Sequence, residues 1–145
     1  MMKKLVTLCL SLLLCFSLFG CGSSAGGIAD DFKITTDQTS EIFTEKEQMA
    51  FIEAFKEDFS KDLSGITLMS IGYAKDEEHT HQIDYYKDIY DIDPSKKDVM
   101  VLDVTFKTGQ FNVPKTLNTN TEYNWTYLVQ LQKDGTITVL DRGYF

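Results

Sequence analysis

Apolar positions along the chain fall into one unbroken run, one helical stripe and several alternations. From Leu5 to Phe19 the run is interrupted only by Thr7, Ser11 and Ser17. Further on, Thr44-Glu45-Lys46-Glu47 has the form of a capping box, with the Thr44 hydroxyl accepting from the Glu47 amide and Glu47 reaching back. Phe51, Phe55 and Phe59 follow at i, i+4 and i+8, widened by Ile52, Ala54 and Leu63, while Glu53, Lys56, Glu57 and Lys61 take the other side. This predicts an amphipathic helix that Gly65 stops. The period then changes to two. Thr67, Met69, Ile71 and Tyr73 alternate with Leu68 and Ser70 as a first strand. In a second, Val99 to Phe106, Met100, Leu102, Val104 and Phe106 oppose Val101, Asp103 and Thr105. Tyr123, Trp125, Tyr127, Val129 and Leu131 share one face of a third, and Asp134-Gly135 turns it into a fourth over Thr136–Leu140. Residues 75–98, acidic and rich in tyrosine, suit a short helix around Gln82–Tyr90 or a long loop. The expected fold is α+β: an N-terminal helix packed on an antiparallel sheet of about four strands that wraps it.

The leading run is too short to span a membrane. Fifteen helical residues rise roughly 22 Å against a hydrocarbon core of about 30 Å. Preceded by Lys3 and Lys4, the run has the shape of a signal sequence over residues 1–20. It ends in Leu18-Phe19-Gly20-Cys21, which resembles the bacterial lipobox, whose cysteine is lipidated and becomes the mature N-terminus. Phe19 is bulkier than that pattern usually holds. A secretory signal with an incidental cysteine, or an uncleaved anchor, is the plainer alternative. The resemblance implies lipid at Cys21, placement on the extracytoplasmic face of a cell membrane, and stable attachment through two or more acyl chains. Gly22-Ser23-Ser24-Ala25-Gly26-Gly27 begins a flexible tether over residues 21–31, spanning roughly 17 Å as a coil, ahead of one globular domain over 32–145.

Charge and cysteine content narrow the function classes. Lys3 and Lys4 are the only charges in residues 1–20, so the −8 of the whole chain becomes 12 basic against 22 acidic groups beyond them. That balance argues against a nucleic-acid partner, which needs a basic surface. Cys9, Cys15 and Cys21 are the only cysteines, so residues 32–145 fold without a disulfide and contain no thiol nucleophile or zinc thiolate. A chain of 145 residues also leaves no room for a doubly wound cofactor domain beside a substrate domain, and no cofactor is implied.

Candidate chemistry is sparse. His79 and His81 would project to one side of an extended segment, which permits a transition-metal site; the default is a solvated charged loop. Asp88, Asp91, Asp93 and Asp98 invite a calcium reading, but an EF-hand begun at Asp91 would need glycine and glutamate where Lys96 and Leu102 stand. Asp103 lies mid-strand; in a pocket it would be a general base with Tyr73 or Tyr127 as oxyanion donor, and otherwise it pairs across the ladder. Trp125 and Tyr127, with Tyr73, are candidates for stacking on a ligand, the bland reading of their row being the face that packs on the helix. Tyr85, Tyr86 and Tyr90 suit a lid or a loop anchored by its own rings. No serine sits in a nucleophile elbow, there is no phosphate loop, and Asn124-Trp125-Thr126 is discounted as a glycosylation site beside a bacterial signal.

The capped helix, Gly65-Ile66-Thr67-Leu68 with Tyr73, the run Leu117 to Val129 and the ending Val139-Leu140-Asp141-Arg142-Gly143-Tyr144 resemble an uncharacterised family of small Gram-positive lipoproteins. Its extracellular domain belongs to the nuclear transport factor 2 superfamily. Gln130 and Ile137 stand where that family tends to have arginine and tryptophan. The resemblance implies a cone: a bent sheet closed by helices, with a pocket at the open end. Superfamily members include isomerases and dehydratases as well as binding modules, so the fold does not choose a function. Two functions follow as expectations. One is a non-catalytic domain binding a small ligand or a cell-envelope protein; the other is a small isomerase or hydrolase using Asp103 and a pocket tyrosine.

Overall fold

Residues 26–62 and 64–144 are described by the structure, a computed structural model. The signal sequence, Cys21 and the first part of the tether, Leu63 and Phe145 lie outside them.

An α+β arrangement results, with two helices and an open five-stranded sheet in the order β1-β2-β3-β4-β5. A strand the sequence did not announce, β1 (Gly27–Thr35), comes first and occupies much of the segment expected to be tether. It lies parallel to β2 (Ile66–Tyr73), and parallel neighbours need a crossover. Helix α1 (Glu45–Phe59) supplies it, so α1 follows a strand rather than leading the fold. The Thr44 capping box is present, the Thr44 N–H donating to Glu47 Oε2 at 2.7 Å and the Glu47 N–H to Thr44 Oγ1 at 3.3 Å. The helix ends at Phe59, a 3₁₀ turn follows over Ser60–Asp62, and Gly65 adopts φ +72° before β2.

The other pairings are antiparallel: β3 (Val99–Thr108) lies between β2 and β4 (Glu122–Leu131), and β4 is followed by β5 (Ile137–Gly143). One face of the sheet carries the main core. Phe51, Ile52 and Phe55 of α1 meet Leu68, Ile71, Met100, Leu102, Val104, Phe106, Tyr127 and Val129. Each fully buried side chain of this size contributes roughly 1.5–3 kcal/mol. The row Tyr123, Trp125, Tyr127 is on this face, with Tyr127 against Phe55 at 4.9 Å between ring centroids.

Two irregularities change which residues share a face. In β2, Leu68 pairs with Phe106 but Ser70 with Thr105, leaving Met69 as a bulge. Leu68 therefore joins Ile71 and Tyr73 in the core, instead of opposing them as strict alternation predicts. In β5, Asp141 pairs with Leu128 but Val139 with Val129, which makes Leu140 the extra residue.

Residues 75–98 are mostly helical. Helix α2 (Lys75–Tyr90) is longer than the short helix predicted, and it packs on the opposite face of the sheet. There Ala74, Ile83, Tyr86 and Ile92 meet Val99, Val101 and Leu128 in a second, smaller core. No helix among the described residues is long and apolar enough to cross a membrane.

Candidate functional site

A cavity of about 370 Å³ opens on the α1 side of the sheet, at the C-terminal end of α1. Phe55, Asp58 and Phe59 form its helical wall, Ile66, Phe106, Trp125 and Tyr127 its floor, Pro114, Thr116 and Leu117 one side, and Val139 and Arg142 the other. The segment carrying Pro114 to Leu117, between β3 and β4, is held in place. Gly109 N–H donates to Gly65 O at 2.8 Å, Asn120 N–H to Gly109 O at 2.9 Å, and Asn118 N–H to Tyr123 Oη at 2.8 Å. Thr108 is buried beneath it and donates its hydroxyl to Asn118 O at 2.6 Å. The wall is therefore built by backbone hydrogen bonds before any ligand arrives.

Trp125 is the floor's centre. Its ring meets Phe106 at 5.2 Å and Tyr123 at 5.7 Å, and the Arg142 guanidinium lies 5.9 Å from its centroid. The indole N–H is buried without a hydrogen-bond partner. A buried, unpaired donor of this kind costs about 1–3 kcal/mol. Burial raises the pKa of Tyr127, and the charge and hydrogen bond of Arg142 act against that rise. Arg142 reaches this side because of the Leu140 bulge. Without the extra residue, alternation from Ile137 and Val139 would bring Asp141 to the cavity instead.

Of the residues singled out from the sequence, Trp125 and Tyr127 line the cavity and Tyr73 does not. Tyr73 packs edge-on against Phe43 at 5.7 Å and donates its hydroxyl to Asp76 Oδ1 at 2.8 Å. Burial and that carboxylate raise its pKa. Burial would also raise the pKa of Asp76, but hydrogen bonds from Ser40 Oγ, the Glu41 N–H and Tyr73 outweigh it and hold the carboxylate low. This group joins the end of β2, the start of α2 and residues 40–43; it is structural.

Asp103 corrects the catalytic expectation. It pairs with Thr126 across the ladder, and the Thr126 hydroxyl donates to Asp103 Oδ1 at 3.3 Å. The residue is exposed on the face opposite Tyr73 and Tyr127, though partial desolvation of its carboxylate, with the charge of Glu78, raises its pKa. A base and an oxyanion donor on opposite faces of one sheet cannot act on one substrate.

The two histidines are likewise separated. In a helix, residues two apart point about 200° apart, so the shared side expected of an extended segment is lost. His79 is buried against Phe43, ring centroids 5.0 Å apart, and His81 is exposed. Among the described residues no three His, Cys, Asp or Glu side chains are grouped so as to hold a metal ion. Tyr86 is buried under α2, with Tyr85 edge-on at 4.8 Å, so the tyrosine cluster belongs to a helix and not to a loop.

Sequence reasoning missed Arg142, Asp58 and Leu117 as cavity residues. Arg142 carried one usable signal, being the only arginine of the chain. Comparison with protein-family models, with curated proteins and with solved structures finds no match for this chain.

Proposed function

We propose that the domain is a non-catalytic binding module that takes a small ligand into the Trp125–Arg142 cavity, and that lipid on Cys21 holds it at the outer face of a cell membrane. The observation that carries the binding role is the cavity itself: about 370 Å³, lined by aromatic rings with Trp125 in its floor, and braced by backbone hydrogen bonds. Ligand sites are typically concave, largely apolar and preformed, with a few polar groups that orient the ligand. Binding rather than turnover is favoured because Asp103, Tyr73 and His79 each lie away from this wall. The lipid anchor is supported by the basic leader, the apolar run and Gly20-Cys21.

For the fold type, α1 covering one face with a cavity at one end supports a nuclear transport factor 2-like cone, and with it kinship to the small Gram-positive lipoproteins. Helix α2 on the opposite face is where the chain departs from that plan. Binding at the cavity does not depend on the kinship.

The test compares wild-type protein with Leu117→Trp, whose larger side chain fills the cavity, both purified from the native host. Small molecules released on denaturation are weighed by mass spectrometry. One compound in near-stoichiometric amount from the wild type, and none from a folded Leu117→Trp, is the expected result. Equal release from both would refute the site.

A further inference from the structure

We infer that the ligand of the cavity is a small, singly charged organic carboxylate with an apolar body, its carboxylate gripped by Arg142. This rests on the binding role proposed above and specifies its chemistry.

Among the described residues that line the cavity, Asp58 and Arg142 alone are charged. Asp58 already has a cation, Lys61 Nζ at 3.6 Å. Arg142 has no carboxylate within ion-pairing distance among the described residues. The carboxylate nearest to it in sequence, Asp141, pairs with Leu128 on the other face and sits beside Tyr86 and Tyr90. The unmatched charge is therefore positive, inside a chain that is strongly acidic overall.

The shape of the arginine side chain points the same way. The guanidinium offers a planar fork of donors that fits a carboxylate through two parallel hydrogen bonds. An arginine in the lining with no carboxylate partner among the described residues calls for an anionic, acceptor-rich ligand. Phe55, Phe59, Phe106, Leu117 and Val139 supply the cavity's apolar walls, beside the hydroxyls of Thr116 and Tyr127, and would enclose a hydrocarbon or aryl body. A volume near 370 Å³ lies at the small end of the range for ligand pockets, which favours a single compact molecule over a chain. The excess of acidic groups on the domain favours one negative charge over two, since each added charge meets the same repulsion.

Calorimetric titration of the full-length protein in detergent, with phenylacetate, phenylacetamide and phenyl phosphate as probes, tests this. Phenylacetate is expected to bind at least about tenfold more tightly than phenylacetamide, the gain typical of a charge-assisted pair, and more tightly than the dianionic phenyl phosphate. Arg142→Met should weaken phenylacetate much more than the amide, so that the two bind with similar affinity. Arg142→Lys, which keeps the charge but not the fork, should fall between, and Leu117→Trp should abolish binding of all three. Equal affinity for acid and amide, or no effect of Arg142→Met, overturns the carboxylate while binding lost in Leu117→Trp leaves the cavity role standing. Tighter binding of phenyl phosphate overturns it in favour of a phosphate ester. Binding that survives Leu117→Trp, or no binding of any probe, overturns both.

Discussion

His79 is buried with its Nδ1 lacking a partner, and it lies edge-on to Phe43. Burial lowers its pKa from 6.5 to about 4, against a smaller upward pull from Asp76. Below pH 6.5 the unfolded chain takes up a proton that the folded chain does not accept until the pH approaches 4. Above pH 6.5 the residue has no effect, and stability falls as the pH drops through the window from 6.5 to 4. The loss amounts to about 3 kcal/mol at about 1.4 kcal/mol for each pH unit. Denaturant unfolding of wild type and His79→Leu at pH 7, 5.5 and 4.5 checks this. The variant should lose the slope across the window; an unchanged slope would show that other groups carry it. Gln48 is the contrasting buried polar residue. Its Nε2 donates to Asp37 O at 2.8 Å and Phe43 O at 3.1 Å, and its Oε1 accepts from the Asp37 N–H at 2.7 Å, so it ties the approach to α1 onto the helix. Neither role can be read from composition, because a lone His or Gln in a sequence does not reveal what surrounds it.

Among the elements, the segment between β3 and β4 matters most to the site, and it leans on one glycine. At Gly65, φ is +72° and an added Cβ would stand 2.6 Å from the Asn112 carbonyl oxygen. Gly65→Ala should cost about 1–3 kcal/mol from the strained φ alone. The clash is with backbone, so the wall carrying Pro114 and Leu117 should also shift, and ligand retention should fall with the melting temperature. A melt and a retention assay on that variant check both. The elements differed in how far the sequence revealed them, for reasons that can be named. Helix α1 was legible because its cap and its phenylalanine stripe coincide. Helix α2 was half-hidden: its buried positions, His79, Gln82, Ile83 and Tyr86, keep helical spacing, but two are polar, and Ala74 offers no capping side chain. β1 is an edge strand whose residues are mostly exposed, so it shows no alternation to detect. The bulges at Met69 and Leu140 displace the pattern by one residue, and no local signal in either strand marks them. Arg142 escaped notice for that reason.

At the scale of the whole molecule, an acidic domain would hang from a lipidated cysteine once the cationic leader is removed. Cys21→Ser is expected to abolish incorporation of labelled palmitate and to release the protein from the membrane fraction; unchanged retention without processing would contradict the anchor. Repulsion between the acidic domain and an anionic membrane surface favours tethering through lipid over adsorption. The central claim is that the cavity over Trp125 is a binding site, and the chain has only this tryptophan. In a ¹⁵N–¹H correlation spectrum its indole therefore gives one resonance. The decisive measurement records that resonance in protein purified from the native host, after the bound compound is stripped, and after it is restored. Occupancy of the cavity predicts a shift on stripping that reverses on restoration, as the indole ring loses and regains its contact with the ligand. A resonance that stays in place through all three states would contradict the claim.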